Sequence, residues 1–210
     1  MDFGNTSEVI VAIASVVTAL SIVIAAGQLK MNRENLAAEN ARLKKQAAIE
    51  AAKIYINNRR PETDLMLQFV NSACHIDGRI IQDIGKFVIP KLPASLLESI
   101  RGCLEFYDDK AHNILLVEDG MVTGLTAKHV IQLQWIMIDY MNTLEASLMY
   151  WWQGTANTEI LEKEFGFIIN SPETARPVNQ LLQAIGASNF PAVSAFIISG
   201  QKRSAPEPTP

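Results

Sequence analysis

The residues of this chain that could carry chemistry are few and scattered. Cys74-His75, Cys103 and His112 form its Cys/His group, and no CxxC, HxxxH or HxxE spacing joins them. Structural zinc needs closely spaced ligand pairs, so neither a metal nor another cofactor is expected. His129 stands where a helix would start and reads as a surface or cap-region histidine. The carboxylates are more suggestive. Glu105 shares a helix face with Asp108 and with Asp109, and two carboxylates so placed could hold a metal or act as acid and base. No partner motif occurs on another segment, so the plainer reading is a charged helix surface. Asp108 lies one residue from an apolar stripe of Leu104, Tyr107 and Ala111, and Arg101 lies two turns earlier. A pairing in that region would fix helix packing. GxSxG, GxxxxGK[ST] and GxGxxG are absent. No catalytic residue is assigned and no enzyme activity is expected.

The two cysteines are too few for a disulfide framework and read as reduced core thiols. The aromatics offer contact rather than reaction. Trp135 lies within a long apolar segment, and Tyr150-Trp151-Trp152 end it. Adjacent tryptophans cannot face the same way, so one of Trp151 and Trp152 packs inward and the other caps the core or meets a partner.

The elements that position these residues begin with a membrane question. "VIVAIASVVTALSIVIAAGQL" fills positions 9–29 without a charge. Twenty-one residues at about 1.5 Å each span roughly 31 Å, the depth of a hydrocarbon core. The acidic "MDFGNTSE" before it is no signal-peptide n-region, and a core helix this long would show a polar stripe. A transmembrane helix is expected over 9–29, after an extracytoplasmic N-terminus over 1–8. Lys30, Arg33, Arg42, Lys44 and Lys45 follow the run and no basic residue precedes it. The positive-inside rule then places the N-terminus outside and the rest in the cytoplasm, as expected of a single-pass inner-membrane protein of a bacterium or phage.

Residues 30–60 hold eight Lys/Arg against Glu34, Glu39 and Glu50, a net +5, whereas 61–210 sum to −7. A basic collar before an acidic domain suits contact with anionic lipid, and no nucleic-acid partner is expected. From Gln28 to Asn58 there is no Gly or Pro, so the span should continue into a basic helical stalk over 30–60. Ile22, Leu29, Leu36 and Leu43 recur every seven residues with poor companion positions, a weak coiled-coil seam. Either an exposed amphipathic stalk or a self-associating one fits.

The pattern predicts an all-α domain over 61–200. Pro61 opens a helix carrying Leu65, Phe69, Ala73 and Ile76 on one face. "GRIIQDIGKFVIPKLP" reads as a short helix and a connector. Ser95-Leu-Leu-Glu98 forms a capping box opening a helix to about Leu116. Glu118-Asp119-Gly120 is a turn. Thr126 caps a helix to about Trp152 that is apolar on nearly every face, the candidate central helix. Short helices follow over 158–169, from Pro172 to Ile185, and from Asn189 to Ser199. No strand pattern and no internal repeat is evident. The Pro-rich 201–210 tail reads as disordered.

The stretch "ESIRGCLEFYDDKAHNILLVEDGMVTG", the polar "QLKMNRENL" after the span and the helix ending "YWW" together resemble the DUF4760 group of bacterial membrane-anchored proteins. Arg101, Leu104, Phe106, Tyr107 and Asp108 would match that group's Arg and leucine–aromatic–acid cluster, with Gly120 in its turn. Here the acid is Asp108 rather than Glu, and "MVTG" replaces an acidic turn. The resemblance covers about residues 5–155 and implies architecture rather than chemistry. The function that fits is a membrane-anchored helical interaction module, a homo-oligomer through span and stalk, such as an oligomerising effector or scaffold in anti-phage defence. The alternative is a membrane-tethered sensor whose helical domain binds a small ligand or nucleotide. A tethered hydrolase using Glu105, Asp108 or Asp109 is the third class.

Overall fold

A computed structural model describes residues 3–108 and 110–204, without the side chains of 3–10, 12, 13, 112, 203 and 204. Asp109, the imidazole of His112 and the last six residues of the expected tail therefore lie outside the described residues. The chain divides into two units, Met1–Lys44 and Lys45–Pro210.

The first unit is helix throughout its described length. Helix α1 (Phe3–Asn58) starts in it, and the lack of Gly and Pro after Gln28 leaves nothing to break it. It is long and apolar enough to cross a membrane, and none of its apolar window is buried. The hydroxyls of Ser15, Thr18 and Ser21 donate to the carbonyls of Val11, Ala14 and Val17, each at 2.8 Å. They therefore add no unmet polar group to the helix surface. Lys30 and Glu34 pair across one turn at 4.0 Å.

The second unit opens sixteen residues before the expected boundary at Pro61. The last turns of α1 belong to it: Ala48 and Ala51 are fully buried, and Tyr55 meets Phe165 edge-on at 5.5 Å. Small alanines allow close helix approach, which a stalk exposed on all sides would not require.

Helix α2 (Pro61–Ile76) starts as its sequence suggests, with Pro61 at the first position and Glu62 and Asp64 in the first turn. The buried Thr63 hydroxyl accepts from the Arg60 N–H at 3.3 Å and donates to the Arg60 carbonyl. Helix α3 (Arg79–Gly85) ends where α9 crosses it, and a Cβ on Gly85 would lie 2.5 Å from the Ala184 carbonyl oxygen. The end of α3 is a Schellman motif. Phe87 N–H donates to Ile84 O at 3.1 Å and Val88 N–H to Asp83 O at 2.8 Å. Phe87 takes the left-handed position at φ 59°, where glycine is usual.

The expected helix from Ser95 to Leu116 is broken. A 3-10 turn over Ala94–Leu96 follows Pro93, and the Ser95/Glu98 box does not form. Helix α4 (Leu97–Leu104) stops at the "EFYDD" stretch, where Asp108 Oδ1 accepts the Lys110 N–H at 3.0 Å. That local bond offers the backbone an alternative to helix. A single turn, α5 (Ala111–Ile114), comes next. The strands β1 (Leu116–Glu118) and β2 (Met121–Thr123) then form an antiparallel hairpin, with Val117 opposite Val122. Its two-residue loop is Asp119-Gly120, at φ 50° and 75°, the preferred chemistry of a type I′ turn. The sequence shows no strand pattern here, because three residues are too few to show alternation.

Helix α6 (Ala127–Trp152) is the central element. Val130, Leu133, Ile136, Met137, Tyr140, Met141, Leu144 and Leu148 are all buried, and α2, α3, α4, α9 and α10 pack against it. The expected 158–169 helix is split at Gly166 into α7 (Thr158–Glu164) and α8 (Phe167–Asn170). Helix α9 (Pro172–Ile185) stops at Gly186, at φ 102°. Helix α10 (Pro191–Ser204) runs past Gly200 into the expected tail. The fold is all-α apart from the hairpin.

Burial separates two phenylalanines. Phe69 is fully buried, whereas Phe87 is 60% exposed in a left-handed conformation. Phe69→Ala should cost about 3–5 kcal/mol. Phe87→Gly should change stability by less than about 1 kcal/mol, relief of the backbone offsetting the lost contact. Urea unfolding of both variants checks the contrast.

Candidate functional site

The sequence points to Arg101 and Asp108, and the fold places them on either side of the join between α4, the hairpin and α6. Arg101 donates from Nη2 to the Leu115 carbonyl at 2.5 Å and from Nη1 to Glu98 Oε1 at 2.9 Å. It thereby ties the chain entering β1 to α4. Its Nε is buried and has no partner among the described residues. Arg101 and Asp108 do not pair with each other among the described contacts.

Asp108 instead pairs with α6. Its Oδ2 accepts from Lys128 Nζ at 3.1 Å and lies 3.7 Å from His129 Nε2. The Lys128 ammonium, followed by the Lys110 N–H, holds its carboxyl below the usual carboxylate range. His129 is buried, and its Nδ1 accepts the Thr126 N–H at 3.3 Å. Thr126 Oγ1 in turn accepts the His129 N–H at 3.4 Å, closing the capping box at the start of α6. His129 Nδ1 is taken up by the cap, and the bond from Lys128 to Asp108 fastens the 105–110 turn to the start of α6.

A second polar seam joins the end of α1 to α2 and α6. Arg59 Nε donates to Asp64 Oδ1 at 2.7 Å, and that bond raises the guanidinium above its usual range. Arg60 lies 3.8 Å from both Glu62 and Asp139. Tyr107 faces this group, and burial followed by Glu62 raises its phenol. Tyr140 is buried beside Tyr55, and burial pushes its hydroxyl well above the usual value.

The tryptophans divide as adjacency requires. Trp151 stacks edge-on against Phe196 at 5.1 Å and donates from Nε1 to Glu162 at 3.1 Å. Trp152 is about half exposed, and Trp135, expected within an apolar helix, is 64% exposed. Trp151, Glu162, Asn170 and Phe196 line a cavity of about 220 Å³. That is below the roughly 300–1,000 Å³ of ordinary ligand pockets. Cys103 is buried and its thiol is pushed up to about 12, as expected of an inert core cysteine. No group of three or more metal-ligating side chains occurs among the described residues.

One anchoring residue carries no sequence signal. Glu145 on α6 accepts the N–H groups of Ala192 and Val193 at 3.0 Å each, from Oε1 and Oε2. It occupies the N-terminus of α10, where the helix dipole favours a carboxylate. The pair is 47 residues apart in the chain, so only the fold brings it together.

Comparisons with protein-family models, with curated proteins and with solved structures find no match to this chain.

Because the folded-state pKa of Asp108 is depressed, its contribution to stability is full above its unfolded value near about pH 4 and is lost as pH falls through the folded value. Asp108→Asn should flatten the acid limb of a melting-temperature profile between about pH 2 and pH 6. An unchanged acid limb would remove Asp108 from that role. Glu145→Ala should cost about 1.5–3 kcal/mol, as a charge-assisted bond to a helix terminus does. Thermal unfolding reads that loss.

Proposed function

We propose that this protein is a single-pass membrane-anchored interaction module that self-associates through its span and stalk, with the domain from Lys45 facing the cytoplasm. The observation that carries this reading is the surface of α1. Val16, Val17, Leu20, Ile22, Val23 and Ile24 are each more than half exposed among the described residues. In water such a surface would be strongly unfavourable, at about 25 cal/mol for each Å² of apolar area. A bilayer removes that cost. Leu29, Leu36 and Leu43, one heptad apart, are 60%, 67% and 52% exposed, an unpartnered seam suited to a second copy. Lys30, Arg33, Arg42, Lys44 and Lys45 follow the apolar run, which supports the N-out orientation and contact with anionic headgroups.

The side chains with chemical potential are engaged in packing: Arg101 with Leu115, Asp108 with Lys128, His129 with Thr126. This favours a binding or assembly role over a reaction, and an oligomerising effector or scaffold over a ligand sensor, whose cavity would be small. The resemblance to the DUF4760 group points the same way on architecture.

The test is the mass of the full-length protein in detergent, beside a version beginning at Lys45, which keeps Ala48, Ala51 and Tyr55. A defined oligomer for the first and a monomer for the second is expected. Leu36→Glu should shift the full-length oligomer toward monomer. A full-length monomer would overturn assembly through the span and stalk.

A further inference from the structure

The connector after α3 reads "KFVIPK", and its exposure follows its sequence. Lys86, Phe87, Val88, Ile89 and Lys91 are exposed, whereas Pro90 and Leu92 are buried and hold its far end. Three consecutive apolar side chains at 60%, 50% and 50% exposure thus project between two lysines. Neither lysine forms an ion pair among the described residues. The backbone is fixed at both ends. Gly85 O accepts from Gln134 Nε2 on α6 at 2.9 Å, and Leu92 O accepts the Val122 N–H at 2.7 Å. Phe87 keeps the left-handed conformation that glycine would adopt at less cost. Strain of this kind in a bulky residue marks a constraint other than stability.

We propose that Lys86–Lys91 is a bilayer-contact loop, with Phe87, Val88 and Ile89 entering the interface of an anionic membrane and Lys86 and Lys91 pairing with lipid phosphates. Apolar side chains flanked by cations are the composition that partitions into an anionic interface. A second copy of the chain fits this loop less well. A stable protein interface buries about 800 Å² on each side, more than three side chains supply. A two-fold contact through the loop would also set the lysines of one copy against those of the other. The elements bonded to the loop carry Asp83 on α3 and Glu118 and Asp119 on the hairpin, so the attraction is local and should weaken with salt. The inference leans on the anchored reading only in that a tether raises the domain's effective concentration at the bilayer.

The test uses the full chain in nanodiscs, with Cys74→Ala and Val88→Cys carrying an environment-sensitive fluorophore. Cys103 is buried and stays unlabelled. The discs contain phosphatidylcholine with or without phosphatidylglycerol. The label should blue-shift in the anionic discs and be quenched by a lipid-borne nitroxide. Lys86→Glu with Lys91→Glu, and separately Phe87→Gly, should abolish both effects without lowering the melting temperature. Water-like emission in anionic discs overturns the proposal. So does a blue shift that the lipid-borne quencher does not reach, which would mean a protein contact. Extraction of the chain by alkaline carbonate would instead defeat the anchored reading. The same label is then read on added anionic vesicles, where a quenched blue shift supports the loop and its absence overturns it.

Discussion

The burial of α6 is the constraint on which the domain depends. A helix of 26 residues that is apolar on nearly every face cannot rest on one neighbour. It has to be surrounded, and α2, α3, α4, α9 and α10 supply the covering surfaces. Three of the polar groups drawn in with it are bonded within the fold. Gln134 reaches the Gly85 carbonyl, and Ser147 bonds the Thr143 carbonyl one turn back. Glu145 seats α10. The Gln134 and Glu145 bonds each fix one neighbour, α3 and α10, against the central helix, so its polar side chains help specify how those neighbours dock.

Helix α1 shows both situations within one element. Over its apolar stretch the large side chains are exposed among the described residues, while at Ala48 and Ala51 the same helix is fully buried. Its unbroken backbone hides the change. What differs is the side chain: the large branched apolar groups stay exposed, whereas the small alanines are buried against neighbouring helices. Between these regions, exposed leucines at heptad spacing sit among lysines and arginines.

The most chemically suggestive side chains serve as fasteners. Arg101 and Asp108 were natural partners on a continuous helix, but the helix ends at Leu104 and the two turn to different bonds. Arg101 secures the approach to β1, and Asp108 secures the 105–110 turn to the start of α6. His129, a cap-region residue by position, has its Nδ1 committed to that cap and its Nε2 directed at Asp108.

The sequence alone determined the all-α class, the long apolar N-terminal helix, the central helix with its Thr126 cap, the Pro61 and Pro172 starts and the Asp119-Gly120 turn. These rest on local physics: periodicity, capping and the conformational limits of Pro and Gly. It also required Trp151 and Trp152 to face different ways. Tertiary structure alone decided the rest. It moved the domain's edge back to Lys45, because Ala48, Ala51 and Tyr55 have buried partners that no local pattern announces. It broke the helix after Leu104 and paired two strands too short to show alternation. It left Trp135 exposed within an apolar segment, since which face of such a helix stays uncovered depends on how many neighbours pack on it. It placed Glu145 at the start of α10 across 47 residues of chain. Long-range burial and long-range hydrogen bonds depend on which surfaces meet, and that is settled only when the chain is folded.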